Sequence, residues 1–493
     1  MPEAKCHEGT RRDVIGQIQQ CIDESDRPVC WLSGPAGSGK SAIAQTIAED
    51  YARQGRLIAS FFFRRGSGSR STISRVIPTL AYQISLSIPS TETSIRDAVQ
   101  SDRRIVSEIG QMIKRQFKEL VTAPILGAPD VSPSKPIIVI DALDECDDRE
   151  LMVDFIEAII GAFEENNQFH LRIILTSRVE EHICRQLESI RVGLVITRLS
   201  LEQFDASRDI RRFLRNSLSD VYENNHRLMP NVSPPWPSPS QLKALTTKAD
   251  GLFIFATTLM NLFRDGSDPP QEALRKMLTA DVGLDALYKQ VLSRAQPTPS
   301  NAQAACRFMR VIGTIMVLRD TLSVTALRDL FQLPIGDILH ALLRVQSILM
   351  IPGVDTQAIR LFHTSLRDFL TSQSRSNEFY VNPPMHHLLI AIDCLKAMGE
   401  VPAHGIVFEG GQRYAAMNWC FHLYEGFVQG GYSHLDKPSQ TSLLSALKMC
   451  KSQYHRFWVN TILLDIREDI FNNLDSSLSK MKVLQFFFSL TGH

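Results

Sequence analysis

The chain has 493 residues, with 53 basic and 53 acidic side chains and a formal net charge of zero. That length exceeds one ordinary hydrophobic core, so two to four domains are expected. The missing basic excess argues against a dominant nucleic-acid or anionic-membrane role, and nine scattered cysteines without CxxC spacing argue against a disulfide framework or a zinc cluster.

The amino-terminal stretch MPEAKCHEGTRRDVIGQI is polar and charged and has no apolar signal core. The cysteines then read as reduced thiols of an intracellular, cytoplasmic protein. The longest strongly apolar runs, at 251–260 and 311–318, fall well short of the roughly 20 residues that span a bilayer.

After a leader over 1–27, short apolar runs alternate with helical patterns up to about residue 200. PVCWLS (28–33), LIASFFF (57–63), PIIVID (136–141), LRIILTS (171–177) and VGLVIT (192–197) are apolar at nearly every position. Such runs suit strands covered on both faces, hence a mostly parallel sheet. Helical patterns lie between them at 40–54 and 150–166. The sum is a three-layer α/β domain over 28–200. Residues 206–222 read as an amphipathic helix, 230–240 as an exposed Pro-rich loop and 241–265 as a buried helix, within a helical domain over 201–296. From 301 the order is three helices and two short strand-like runs, 347–352 and 358–363. These are the parts of a winged-helix-like domain over 297–376. The remainder, 377–493, reads as all-helical.

The chemistry is concentrated in two stretches. Gly34-Pro35-Ala36-Gly37-Ser38-Gly39-Lys40-Ser41 fits GxxxxGK[ST] between a strand and a helix. Glycines there let the backbone curl round phosphate oxygens and present N–H groups, and the following helix aims its positive end at the same point. Lys40 supplies a mobile cation, and the Ser41 hydroxyl suits magnesium. The second stretch is IIVIDALDECDD (137–148). Its strand is expected beside the first, with Asp141 at its carboxyl end holding magnesium. Asp144 or Glu145, on the turn, would orient or deprotonate an attacking water. Arg178, at the end of LRIILTSR, is placed to meet a terminal phosphate. Arg64 and Arg65 read as structural, and His363, taken alone, does too.

The chain resembles a NACHT-type member of the STAND P-loop NTPases, in the form abundant in filamentous fungi and close to the nephrocystin-like N-terminal P-loop domain. The resemblance rests on CHEGTRRDVIGQI, WLSGPAGSGKSAIAQTIA, IIVIDALDEC, IILTSR, ADGLFIFATTLM and LFHTSLRDFL. It implies a signalling switch of the NOD-like receptor type that holds ADP when closed, exchanges it for ATP (or GTP), then opens and oligomerises. It implies that the loop 34–41 binds nucleotide, that Ser41 and Asp141 hold Mg2+, that Asp144, Glu145 and Arg178 serve slow hydrolysis, and that His363 touches the diphosphate of the closed state. Two departures stand out. Val179 follows Arg178 where many relatives have proline, and GLFIFA lacks the proline of a Gly-x-Pro run. Such modules usually carry an effector and a repeat sensor. Neither is visible here, so protein partners for sensing and output, or a longer parent chain, are expected.

Two other readings compete. An AAA-like motor or other P-loop enzyme normally places Glu directly after the magnesium Asp, and that slot is Ala142. A winged-helix nucleic-acid regulator would need a basic recognition segment, and 334–346 is mostly apolar.

Overall fold

Every residue of Val29–Ser33 (β1) is buried, as a strand covered on both faces requires. In the computed structural model the described residues are 5–449, apart from 66, 103, 108–112, 130–134, 166–168, 189–194, 265–267, 280–282, 297–301 and 400–409. The chain divides into two compact units, residues 1–283 and 284–493.

The first unit is built on a parallel five-stranded sheet. Its other strands are β2 (Leu57–Phe62), β3 (Ile137–Asp141), β4 (Arg172–Ser177) and β5 (Ile196–Ser200), in the order β2-β3-β4-β1-β5. The expectation that the Asp141 strand lies beside the first is wrong. β4 is inserted between them, with Ile173 level with Val29 on one side and Ile138 level with Ile173 on the other. β5 begins later than the apolar run suggests. It is an edge strand in which only Ile196 is buried, so its sequence needs no continuous apolarity. Residues 192–194 lie outside the described residues.

Side chains alternate across the sheet, so each strand feeds two cores. Cys30, Leu32, Ile137, Val139 and Ile174 pack under α1 (Arg12–Glu24) and α2 (Lys40–Arg53). Val29, Trp31, Ile138, Ile140 and Ile173 pack on the other face with α3 (Val76–Ser87) and α4 (Arg149–Glu165). These are the three layers of an α/β domain.

Helix α5 (Ser207–Asn225) follows. The Pro-rich stretch is less exposed than expected, because Trp236 is buried edge-on against Phe263. Its last residues already belong to α6 (Pro239–Ala249), whose Ser238 cap and Gln241 form a reciprocal capping box. The expected single helix over 241–265 is two. Asp250 and Gly251 both take positive φ, 45° and 74°, and that tight reversal starts α7 at Phe253 (Phe253–Arg264).

In the second unit, α8 (Ala302–Val317), α9 (Val324–Phe331) and α10 (Ile335–Leu342) precede a short antiparallel pair, Leu349–Met350 with Arg360–Leu361. Helices α11 (Pro383–Gly399), α12 (Gly410–Val428) and α13 (Lys437–Met449) follow. Glycines set how closely these helices approach. A Cβ on Gly313 would lie 2.1 Å from the His386 ring, and one on Gly426 would lie 2.5 Å from Leu388. The helical expectation for 450–493 lies outside the described residues. No helix among the described residues is long and apolar enough to cross a membrane.

Candidate functional site

The loop between β1 and α2 has the backbone that its glycines predict. Gly37 and Gly39 have φ of 77° and 97°, a region costly for residues with a Cβ. Gly34 is needed for a different reason: a Cβ there would come within 2.9 Å of Leu201. Lys40 Nζ lies over the loop and donates to the Gly34 and Pro35 carbonyls at 2.8 and 2.9 Å. Burial pushes its ammonium below the ordinary lysine range. Asp144 acts most strongly in the opposite direction, followed among the carboxylates by Asp141 and Glu145. The sheet therefore gathers Lys40 and the three predicted acids at one end, although β4 separates their strands.

Asp141 closes β3 and is 2% exposed. Burial pushes its carboxyl up to about 7, against hydrogen bonds from the Thr176 and Ser41 hydroxyls. Thr176, in β4, donates to Asp141 at 2.5 Å and accepts the Ala142 N–H at 3.0 Å. That pair of bonds fixes the carboxylate and the first peptide of the acidic turn. Thr176 was not singled out from sequence; the only hint was a polar residue ending an apolar strand.

Ala142 has φ 59° and ψ 52°, a left-handed conformation unusual for a non-glycine residue. Its methyl group is buried in the core on the α4 face. The reversal starts the short turn Leu143–Glu145 and directs the next acids back toward the loop. Asp144 is held by Arg178: the Arg178 N–H donates to it at 2.8 Å, and Nε lies 3.1 Å from its second oxygen. Arg65, read as structural from sequence, braces the same turn. Its guanidinium donates to the Asp144 carbonyl at 2.6 Å, and its N–H donates to the Glu145 carboxylate at 3.1 Å.

A buried carboxylate facing a hydroxyl, next to a lysine on a loop of left-handed glycines, fits a hard divalent cation together with phosphate oxygens. Ser41 and Asp141 are the fitting donors.

His363 lies in the second unit. Its Nδ1 accepts the Ser365 N–H at 3.0 Å, and the Ser365 hydroxyl is 2.9 Å from Tyr288 Oη. The imidazole thereby covers the start of the helix Ser365–Leu370.

Fold and site together define a P-loop NTPase domain. The family described as Nephrocystin 3, N-terminal, matches residues 10–178, from the leader through Arg178. No curated protein matches the chain. Solved structures match over wide stretches with little shape in common. The structure of C. elegans PCH-2 is 12% identical, with 57% of this chain and 66% of that chain covered at a TM-score of 0.31. Drosophila ORC bound to DNA is 13% identical, covering 70% and 82% at 0.31. The Pyrococcus furiosus Hef helicase domain is 13% identical, covering 58% and 65% at 0.17. The match thus spans just under two thirds of the PCH-2 chain. Overlaps this slight carry no argument about function.

Proposed function

We propose that the protein is a nucleotide-dependent signalling switch that binds ADP or ATP, or the guanine equivalents, with Mg2+, and hydrolyses the triphosphate slowly. The observation that carries this reading is the pairing of a P-loop lysine with a displaced acidic turn. The residue after Asp141 is a buried alanine, and the acids follow at 144 and 145.

In this reading the loop N–H groups and Lys40 hold the phosphates. Ser41 and Asp141 would hold Mg2+, which would supply charge neutralisation to the phosphates. Glu145 positions or deprotonates the attacking water. Asp144 keeps the Arg178 guanidinium occupied until a terminal phosphate competes for it. A switch needs such an exchange of partners, since an arginine already satisfied distinguishes two phosphates from three only by trading one anion for another. His363 belongs to the closed state. The division into leader, nucleotide-binding domain, helical domain, winged-helix-like domain and C-terminal helical domain belongs to the same proposal, as do oligomerisation on opening and protein partners for sensing and output.

Titration with fluorescent ADP, with and without Mg2+, tests it. Lys40→Ala is expected to lose binding, and Asp141→Asn to lose only the Mg2+-dependent part. Retained affinity in Lys40→Ala would sink the phosphate-cradle assignment.

A further inference from the structure

The leader reaches the P-loop from outside. Arg11 sits just before α1 with φ 57°, a left-handed backbone, and is 4% exposed. Its N–H donates to Asp209 in α5 at 2.9 Å. Its guanidinium donates to the Ser38 carbonyl at 2.6 Å and lies 4.8 Å above the Phe253 ring, while Nε has no hydrogen-bond partner among the described residues. Beside it, the Ile254 N–H at the start of α7 donates to the Gly37 carbonyl at 3.1 Å. Phe253 also lies 4.0 Å from where a Gly39 Cβ would be.

These contacts fall on two successive peptide units. The Gly37 carbonyl shares its peptide with the Ser38 N–H, and the Ser38 carbonyl shares its peptide with the Gly39 N–H. A P-loop turns such N–H groups toward the anion and their carbonyls outward. Hydrogen bonds on opposite ends of one peptide polarise it and strengthen each other. A cation on the Ser38 carbonyl therefore makes the Gly39 N–H a better donor. An anion held by that N–H in turn makes the carbonyl a better acceptor. The desolvation of a buried guanidinium, only partly offset by Asp209, is also relieved when an anion arrives nearby.

We propose that Arg11 and the amino end of α7 form an external clamp on the P-loop, so that anion binding inside the loop and docking of α7 outside it are one coupled event. Arg11 is a positioning residue that acts through the Ser38–Gly39 peptide. The clamp rests on the reading of 34–41 as a phosphate site, and it gives that site a route into the helices that follow the sheet.

Hydrogen exchange on the full chain, with Mg2+ and ADP as the probe, tests the clamp. In the wild type ADP is expected to slow exchange at the Ile254 amide severalfold. In Arg11→Gln, affinity falls about tenfold, as for loss of a charged hydrogen bond, and at saturating ADP the slowing at Ile254 disappears. Arg11→Lys, which keeps the charge, recovers part of both and serves if the glutamine variant does not fold. Equal slowing in wild type and variants overturns the clamp. Binding is read separately by titration. A wild type that binds ADP without any change at Ile254 overturns the clamp alone, and one that binds no ADP overturns the phosphate-site reading with it.

Discussion

Arg178 delivers both its backbone N–H and its Nε to the Asp144 carboxylate, at 2.8 and 3.1 Å. Two residues assigned separate duties from sequence are one unit in the fold. If that unit opens by exchange of partners, Asp144→Asn releases the guanidinium. Affinity for a non-hydrolysable triphosphate analogue then rises about three- to tenfold relative to ADP, while hydrolysis falls. Arg178→Ala shifts the same ratio the other way. Paired titrations with the two nucleotides measure it, and an unchanged ratio in both variants rules out the exchange.

Thr176 ties Asp141 to the turn. Thr176→Val leaves the Ala142 N–H and a buried carboxyl short of a partner, at a cost of about 1–3 kcal/mol. Thr176→Ser keeps the hydroxyl and is expected to lose less than half of that. Denaturant unfolding of the two variants separates them. Equal losses would show that the methyl group contributes as much as the hydroxyl, against a tie made by the hydroxyl.

Ala142 is held by its surroundings. Ala142→Glu places a charge in the core on the α4 face and is expected to destabilise by several kcal/mol, without creating a fast ATPase. Ala142→Gly suits φ 59° and is expected to stay within about 1 kcal/mol of wild type. Thermal melts with steady-state hydrolysis assays read both. A well-folded Ala142→Glu with rapid turnover would contradict the account.

The strands with two-sided burial were legible because β1, β3 and β4 each carry an unbroken apolar run through their middle, and the loop was legible because its glycines have no substitute. Strand order was not, since residue types in β4 do not say which neighbour it separates. β5 was misplaced because an edge strand needs no apolar run. The roles of Arg65, Thr176 and Arg11 depend on contacts 27 or more residues apart in sequence, such as Arg11 with Ser38, Arg65 with Asp144 and Arg11 with Asp209. Nothing local marks them, although GTRRD and ADGLF hold the left-handed residues Arg11 and Asp250.

The second unit carries a pH signature of its own. Nδ1 of His387 and Nδ1 of His422 are 2.8 Å apart, and His422 Nε2 is 2.6 Å from Tyr414 Oη. Burial, then neighbouring His386, holds His387 at about 4, and burial, His387 and Arg319 hold His422 well below the usual histidine range. Both are neutral when folded and take up protons only when unfolded. Their contribution is fully present above pH 6.5 and is lost as pH falls toward 4, by up to about 1.4 kcal/mol per pH unit per histidine. Thermal melts of wild type and His387→Gln between pH 7.5 and 4.5 should diverge in slope, with the variant flatter. Parallel slopes would remove the pair as the cause.

The most direct test is to denature the purified full chain and identify what the supernatant contains. A switch closed around its product is expected to release close to one nucleoside diphosphate per chain, and Lys40→Ala to release none. A folded wild type that yields no nucleotide, and binds none when ADP and Mg2+ are added, would contradict the central claim.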